Sequence, residues 1–523
     1  MKRLASWLTA LLVVIFAGSG LAQDRTSTLI YGGDWSDLIT LDPGVSYEFT
    51  GGLVTDNLYE TLVKFEGTDL STLKPGLAEK WKVENLGTSW KVIFNLRKGA
   101  KFSTGREVTS KDVVYSFDRA IALKGPGSFL FTEVANIKQG STKALDPYTV
   151  EVTLPKTASP QAFLNLLTFN IGGIVDSEEV KAHEVAGDFG KAWLTDHSAG
   201  SGPFVAVRWE RNSQVVLEAN PNARLKPKLS RIVMRYIQEP AAQRVALESG
   251  EIDIAENLTP EMLKAFSTNP KFKIYKSDNL RLRYLGMNSG EGSPFADPRV
   301  RQAVRYAVNQ DEIINGLLLG AAKKVQTIIP AGLFGHNPST YYKYDPALAK
   351  RLLAAAGYPN GFTFEFLVST AVCDQVPCAD LAAKIQSDLA KVGLKAEIKA
   401  IANAEVLKTY RAQKHQMVLV AWSPDFPDPD GNATPMSDYA AKSLAYRNVW
   451  QNQTAAKLAQ QAALEAEPGK RAALYKILTE LVLKEGPYAI LYQPANISTL
   501  SASVEGFVRN AQNQVRFENI SKK

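Results

Sequence analysis

The stretch WKVIFNLRKGAKFSTGREVTSKDVVYSF, residues 90–117, combines a strand pattern with a helix start. In its first half apolar side chains alternate with polar ones, the period-two pattern typical of a half-buried β-strand. The apolar members are Trp90, Val92, Phe94 and Leu96. In its second half Thr109 and Asp112 have the spacing of a capping box, and apolar residues continue at helical spacing. The stretch therefore predicts a strand followed by a helix, which indicates a mixed α/β fold.

The secondary-structure signals change along the chain. Residues 23–200 read largely as strands joined by turns, and a second strand-rich block covers SQVVLEANPNA, SRIVMRYI and LRLRYLGMN. After residue 288 amphipathic helices dominate, two of them opened by an Asp-Pro pair in which an N-cap residue precedes proline at the first helical position. The predicted helices start at Asp297 and Asp345 or cover residues 379–392 and 468–485.

The last apolar strand, PYAILYQP, and the tail after it return to β character. If this strand joins the first part of the fold, the chain crosses between two bodies twice, near residues 284–288 and 486–489. Two adjacent crossings are typical of a hinge. With 523 residues the chain is too long for one core, so two or three domains are expected.

Composition and charge exclude some function classes. The net charge of +7 is small for this length, and the basic residues are scattered among acids instead of forming a stripe. We therefore expect no nucleic-acid partner. At the N-terminus Lys2 and Arg3 precede an apolar run and then small residues, the pattern of a signal peptide over residues 1–22 with cleavage after Ala22. No cysteine near this site could take a lipid, so an exported protein, free in the periplasm or secreted, is expected.

The two cysteines, Cys373 and Cys378, lie in VCDQVPCAD. In an oxidising compartment a lone pair this close predicts a structural disulfide. The alternative, a redox C-x-x-C site, does not fit the C-x4-C spacing.

Motifs for catalysis are missing from the sequence. There is no phosphate-binding glycine loop and no G-x-S-x-G elbow. The histidines lie far apart and lack the spacing of a metal helix. They are His183, His197, His336 and His415. We therefore expect no metal, no cofactor and no enzymatic activity.

The stretch AWSPDFPDPDGN, residues 421–432, carries three acidic residues and has three interpretations. As a calcium loop it fails, because Phe426 and Ser437 stand where ligands are required. A pair of catalytic carboxylates is conceivable, but adjacent acids in a proline-stiffened loop do not predict a facing geometry. A buried-strand pattern leads into Asp425, which favours a carboxylate at the edge of a core, where ligands bind. Asp428 and Asp430 are expected to shape the loop.

Several ordered stretches together resemble family 5 of the extracytoplasmic solute-binding proteins, which serve ABC importers of peptides, dipeptides and nickel. They are LKPGLAEKW with the opening stretch, GSGPFVAVRWERNSQVVLEANPNA, DPRVRQAVRYAVNQDEII, YDPALAKRLLAAAGYPNGF and WSPDFPDPD. The resemblance implies an α/β, two-lobe periplasmic-binding-protein clamshell, class II-like and of cluster C, with an extra subdomain. The implied parts are lobe I at 24–58, 198–285 and 487–523, the added subdomain at 59–197, and lobe II at 286–486.

The resemblance also implies site residues. In peptide-binding relatives the tryptophan and aspartate of a W-x-x-D motif lie at the cleft, where the aspartate pairs with the peptide's α-ammonium; Trp422 and Asp425 match them. Tyr47, Glu48 and Phe49 fall where relatives line the cleft from lobe I, or form a surface turn. The arginine that dipeptide-selective relatives use for the ligand carboxylate has no match here.

The function implied is that of a monomeric periplasmic receptor that captures a short peptide and delivers it to an inner-membrane ABC permease. Alternatives are the same role for an oligosaccharide or other organic solute, or for nickel or a metal chelate. A more remote alternative is a secreted glycosidase that uses Asp425 and Asp428.

Overall fold

The computed structural model describes residues 25–256 and 258–523, so the predicted signal peptide lies outside the described residues. The strands are β1 Thr28–Gly33, β2 Val63–Glu66, β3 Asp69–Pro75, β4 Ala78–Asn85, β5 Ser89–Leu96, β6 Thr142–Asp146, β7 Thr149–Pro155, β8 Phe204–Glu210, β9 Gln214–Ala219, β10 Arg231–Tyr236, β11 Ile254–Glu256, β12 Phe272–Asp278, β13 Leu282–Met287, β14 Ala322–Lys323, β15 Phe362–Ser369, β16 Val372–Cys373, β17 Val376–Pro377, β18 Leu394–Ile401, β19 Met417–Trp422, β20 Tyr488–Ser501, β21 Val504–Glu505 and β22 Ser521–Lys522. The α-helices are α1 Phe49–Leu58, α2 Ser110–Leu123, α3 Pro160–Leu166, α4 Ser177–Ala182, α5 Lys191–Leu194, α6 Pro240–Glu248, α7 Pro260–Phe266, α8 Pro298–Ala307, α9 Gln310–Glu312, α10 Pro346–Ala355, α11 Cys378–Ala390, α12 Asn403–Arg411, α13 Asp430–Ser437, α14 Leu444–Arg447, α15 Gln453–Leu464 and α16 Pro468–Glu485.

The opening stretch forms a strand and a helix, as predicted. Strand β5 is an inner strand of a sheet with the order β4-β5-β7-β6, and its Val92 and Phe94 are fully buried. Helix α2 begins with the capping box of Thr109 and Asp112 and packs Phe117 into the same core. Alternation in the strand and periodicity in the helix thus place their apolar faces against each other.

A second, larger sheet contains twelve strands, and the pairs β2-β3, β16-β17 and β21-β22 lie outside it. Its order is β18-β15-β19-β13-β20-β11-β1-β10-β9-β8, with β12 and β14 also paired to β20. The first part of β20, residues 488–492, pairs with β13, and residues 495–501 pair with β12. Strand β13 in turn pairs along its full length with β19. The change of partners therefore falls at 279–281 and 493–494, and the ranges predicted for the crossings, 284–288 and 486–489, overlap the paired parts of β13 and β20.

The helices after residue 288 follow their sequence signals. Asp297 and Asp345 cap α8 and α10 by accepting hydrogen bonds from backbone N–H groups, and α16 has the predicted bounds. Before residue 200 the predicted mixture of strands with helix α2 is confirmed, but the region is less β-rich than expected because four further helices, α1, α3, α4 and α5, lie there. The sequence of α1, FTGGLVTDNL, has weak helix propensity, and its burial supports the helix instead.

The disulfide closes a small hairpin of β16 and β17 through Cys373 and Cys378. Asp374 at its tip accepts hydrogen bonds from Arg283 Nε at 3.1 Å and from the Tyr492 hydroxyl at 2.9 Å. The hairpin is thereby attached to β13 and β20, the strands where the sheet changes partners.

Replacing both cysteines by serine is expected to lower the free energy of unfolding by about 2 kcal/mol, because a loop this short restricts the unfolded chain only modestly. The measurement is urea denaturation of the oxidised protein, the reduced protein and the C373S/C378S variant. Reductant should shift the wild type to the variant's midpoint and leave the variant unchanged. Equal midpoints for oxidised wild type and variant would contradict a stabilising disulfide.

Candidate ligand-binding cleft

The acidic loop, residues 423–430, follows the C-terminal end of β19, an inner strand of the large sheet. This strand lies between β13 and β15, and Met417, Val418, Leu419 and Val420 are buried there. The strand ends at Trp422, whose indole Nε1 donates a hydrogen bond of 3.0 Å to the Gly431 carbonyl. This bond closes the base of the loop, so the tryptophan positions the segment that contains Asp425.

The far side of the loop is fixed by two other parts of the fold. Phe426 is 5% exposed and packs in a core whose other members lie within residues 62–174. Asp428 accepts hydrogen bonds from Asn165 Nδ2 at 2.9 Å and from Arg471 at 2.6 Å. Thr434 donates to Asp430 at 2.6 Å. Asp428 and Asp430 thus have structural partners, as the sequence predicted for them.

Asp425 lies in the loop between Trp422 and Phe426, and its side chain points toward Tyr47. The Tyr47 hydroxyl donates a hydrogen bond of 2.5 Å to its Oδ1 atom. Burial raises the pKa of Asp425, while the Tyr47 hydrogen bond and the charge of Arg447 oppose the rise. Tyr47 is held by edge-to-face contacts with Phe129 and Phe169, at centroid distances of 6.0 and 6.1 Å. A carboxylate therefore faces a cavity with a neutral hydroxyl as its hydrogen-bond donor.

The cavity at this point has a volume of about 380 Å³, within the range of small-ligand sites. The structure brings four predicted site residues to its wall, and they are Tyr47, Glu48, Phe49 and Asp425. Trp422 does not line it; its ring packs on the core next to β19. Sequence reasoning missed Asp37, Asp56 and the segment 511–514, which also line it. The amide-rich run NAQNQ at 510–514 is a signal that could have pointed to the last of these.

A second cavity of about 340 Å³ continues from the first and shares Asp37, Phe49 and Asn513 with it. Arg281 lines this cavity, is 30% exposed at its side chain and contacts Asp374 at 3.3 Å. Arg509 also lines it and is paired with Glu256 at 2.5 Å. The two cavities form a continuous cleft that is acidic at one end and contains arginines at the other.

Over residues 25–256 and 258–523, no group of three or more His, Cys, Asp or Glu side chains could hold a metal ion. In the same part of the chain, no helix has both the length and the apolar character needed to cross a bilayer.

Comparison with known proteins identifies the family. The model of the bacterial extracellular solute-binding proteins, family 5, matches residues 72–443. The chain belongs to this family. This family 5 protein is 30% identical over 496 residues to a dipeptide-binding protein of Escherichia coli, covering 90% of this chain and 91% of that one.

A second relative and a solved structure are similar to this family 5 protein over nearly its whole length. It is 29% identical over 520 residues to the probable D,D-dipeptide-binding periplasmic protein DdpA of Escherichia coli, covering 98% of this chain and 97% of that one. Among solved structures it resembles the ABC transporter-associated periplasmic binding protein DppA of Helicobacter pylori in complex with the peptide STSA, with a TM-score of 0.76 and 26% identity over 95% of this chain and 98% of that one. The two-lobe binding-protein fold expected from the sequence is therefore confirmed.

Proposed function

We propose that this protein is an exported, non-enzymatic, monomeric receptor that binds a short peptide in the cleft and delivers it to an inner-membrane ABC permease. The observation that carries the proposal is Asp425, a partly buried carboxylate on the cavity wall whose hydrogen-bond donor is the neutral Tyr47 hydroxyl. An ammonium group is the ligand end that such a carboxylate favours, since a charge-assisted hydrogen bond is stronger than a neutral one.

The proposed binding mode uses both cavities. The α-ammonium of the peptide pairs with Asp425, and its first side chain lies on the apolar wall of Phe49, Leu53 and Leu280. The peptide backbone extends toward the second cavity, where its carboxylate pairs with Arg281. This guanidinium suits that role because it is partly exposed. Its contact with Asp374, at 3.3 Å, is also longer than a close charge-assisted hydrogen bond, so the guanidinium keeps donors for a second carboxylate.

Closure of the cleft is proposed to occur by rotation about β13 and β20. Tyr47 belongs to the proposed lobe I and Asp425 to the proposed lobe II, so their hydrogen bond joins the two. Phe426, packed in the core of the proposed subdomain, provides a second contact of the same kind. A ligand held between these groups favours the closed state only through the contacts that it makes there.

The delivery role and the location are supported by the relatives. Two of those named above are described as periplasmic, and two as dipeptide-binding. The N-terminal pattern of residues 1–22 supports export with removal of a signal peptide. Intact-mass measurement of protein from the periplasm should then give a chain that begins at Gln23.

Ligand identity is tested by mass spectrometry of the solute released when the purified protein is denatured, and by a thermal-shift panel. The expected result is a higher melting temperature with di- to pentapeptides, since a ligand that binds only the folded state stabilises it. Oligosaccharides, Ni²⁺ and metal chelates complete the panel. A shift with one of these and none with peptides would replace the peptide by that solute, and substrate cleavage during incubation would contradict a receptor.

A further inference from the structure

The wall of the first cavity is acidic, although the protein as a whole carries a net charge of +7. Its lining includes four carboxylates and, among the described residues, no lysine, arginine or histidine. They are Asp37, Glu48, Asp56 and Asp425. A basic protein with one acidic concave site concentrates cations there, because a cleft of one sign focuses the local potential.

These carboxylates are hydrogen-bonded but form no ion pair within the described residues. Asp37 accepts from the Thr50 backbone N–H at 3.2 Å, and Glu48 accepts from the Tyr47 backbone N–H at 3.1 Å. In the second cavity, two of the four lining carboxylates, Asp374 and Glu256, are each paired with an arginine. The negative charge of the first cavity is thus left without a cation on the cavity wall.

Cations behind the wall compensate this charge only in part. Burial raises the pKa of Asp56 to about 6 against the opposing charge of Arg516, with Glu518 adding to the rise. Arg447 acts on Asp425 in the same opposing sense, and the pKa of that carboxyl is still raised. Both carboxyls therefore lie in surroundings that a positive ligand group would improve.

Unpaired hydrogen-bond acceptors on the same wall give a second, independent indication. Gln512 and Asn513 line the cavity, and their side-chain oxygens Oε1 and Oδ1 are buried with no hydrogen-bond partner in the described part of the chain. Buried acceptors without donors are costly, so a ligand that fills this space with N–H groups satisfies them. Ammonium and guanidinium groups present several such donors and no acceptor.

We propose that the cleft selects peptides that carry a basic side chain, lysine or arginine, in addition to the α-ammonium. The inference rests on the proposed function and specifies its ligand class. Asp425 takes the α-ammonium, while Glu48, Asp56 and the two amide oxygens surround the basic side chain. A neutral peptide leaves the second set of carboxylates without a cation, and an acidic peptide places like charges together.

The test is isothermal titration of matched tripeptides that differ at one position, lysine against methionine against glutamate, at each of the second and third positions. The expected result is binding of the lysine peptide about tenfold or more tightly than the methionine peptide at one position, with the glutamate peptide weakest. The preference should shrink as salt is raised, since partly exposed charges are screened.

Substitutions of carboxylates on the wall of the first cavity test whether they cause the preference for lysine peptides. In Glu48→Gln, and in the double variant Glu48→Gln/Asp56→Asn, the ratio of lysine to methionine affinities should fall toward one. Binding of the lysine peptide should weaken more than binding of the methionine peptide, because only the lysine side chain loses a charged partner. The matched control is Glu84→Gln, an exposed acid on β4 outside the cleft that pairs with Lys82 and should keep the wild-type ratio. If the double variant does not fold, the single variant still tests the proposal.

The outcomes separate the two proposals. Equal affinities for lysine and methionine peptides in the wild type would overturn the basic-peptide inference and leave the peptide receptor in place. Binding of none of the peptides would overturn both. A lysine preference that survives the wall substitutions would also overturn the inference, because its source would then lie elsewhere.

Discussion

Replacing Arg471 by methionine is expected to lower the free energy of unfolding by about 3 to 5 kcal/mol, the typical cost of removing one partner of a buried ion pair. The Arg471 and Asp428 side chains are 5% and 0% exposed and lie 2.6 Å apart. Burial alone would lower the pKa of Arg471, but the Asp428 carboxylate more than offsets this and raises the pKa above its usual value. Without the guanidinium, Asp428 keeps the hydrogen bond from Asn165 but is left buried without its ion-pair partner.

The measurement is chemical denaturation of wild type and Arg471→Met at neutral pH. Lys399→Met is the matched control, since Lys399 pairs with Glu365 at the surface, where the exposed fractions are 55% and 36%. An exposed pair contributes about 0 to 1 kcal/mol, so this control should unfold close to wild type. A double variant, Arg471→Met with Asp428→Leu, should recover much of the loss because the Asp428 carboxylate is removed together with its ion-pair partner. If Arg471→Met is no more destabilised than the control, the pair does not anchor the loop.

The elements that the sequence predicted well are those whose signals are local. The capping box at Thr109 and the Asp-Pro starts at Asp297 and Asp345 depend on residues within one turn, and each begins a helix in the structure. The alternation in β5 likewise needs only one half-buried face. Such patterns survive folding because the tertiary structure uses the same apolar faces that they present.

The elements that the sequence predicted poorly depend on distant partners. Helix α1 contains two glycines, and its Leu53, Val54 and Leu58 are buried in a core that also contains residues from the C-terminal segment 500–520. Only the first part of the 14-residue strand β20 lies in the predicted apolar strand PYAILYQP, and its two parts pair with different strands. Pro494, which has no N–H to donate, lies at the change of partners, but the sequence does not say which strands the two parts pair with.

The candidate site shows the same division. The loop around Asp425 and the segment at Tyr47 were found through a family resemblance, and the structure joins them by one hydrogen bond. Trp422 was placed at the cleft, but its indole hydrogen-bonds within its own loop. The insertion of Phe426 into a core more than 200 residues away in sequence has no local signal at all. Asp56 was missed because an acidic residue within a helix is usually exposed to solvent, and no local sequence signal shows that this one is buried.

Replacing Asp425 by asparagine is expected to weaken binding of a peptide ligand by about 2 to 5 kcal/mol, because the α-ammonium loses its carboxylate partner in a partly buried site. The substitution keeps the size of the side chain and an oxygen that can accept the Tyr47 hydroxyl. It should not reduce the stability of the unliganded protein at neutral pH. The folded pKa of Asp425 is raised above its unfolded value, so its contribution to stability is present at low pH and lost as the pH rises through the folded pKa.

The measurement is titration with a free peptide and with its N-acetylated form against wild type and Asp425→Asn. If the carboxylate binds the ammonium, acetylation and substitution remove the same interaction, and the double change costs little more than either alone. Wild-type affinity for the free peptide should also fall as the pH is lowered through the raised pKa of Asp425, while the variant should lack this dependence. Asp311→Asn, an exposed acid that pairs with Lys324 away from the cleft, is the matched control and should bind as wild type does. Additive losses from acetylation and substitution would assign the ammonium to another acid on the cavity wall, with Glu48 and Asp37 the next to be tested, since the ligand would still have to satisfy the same acidic surface.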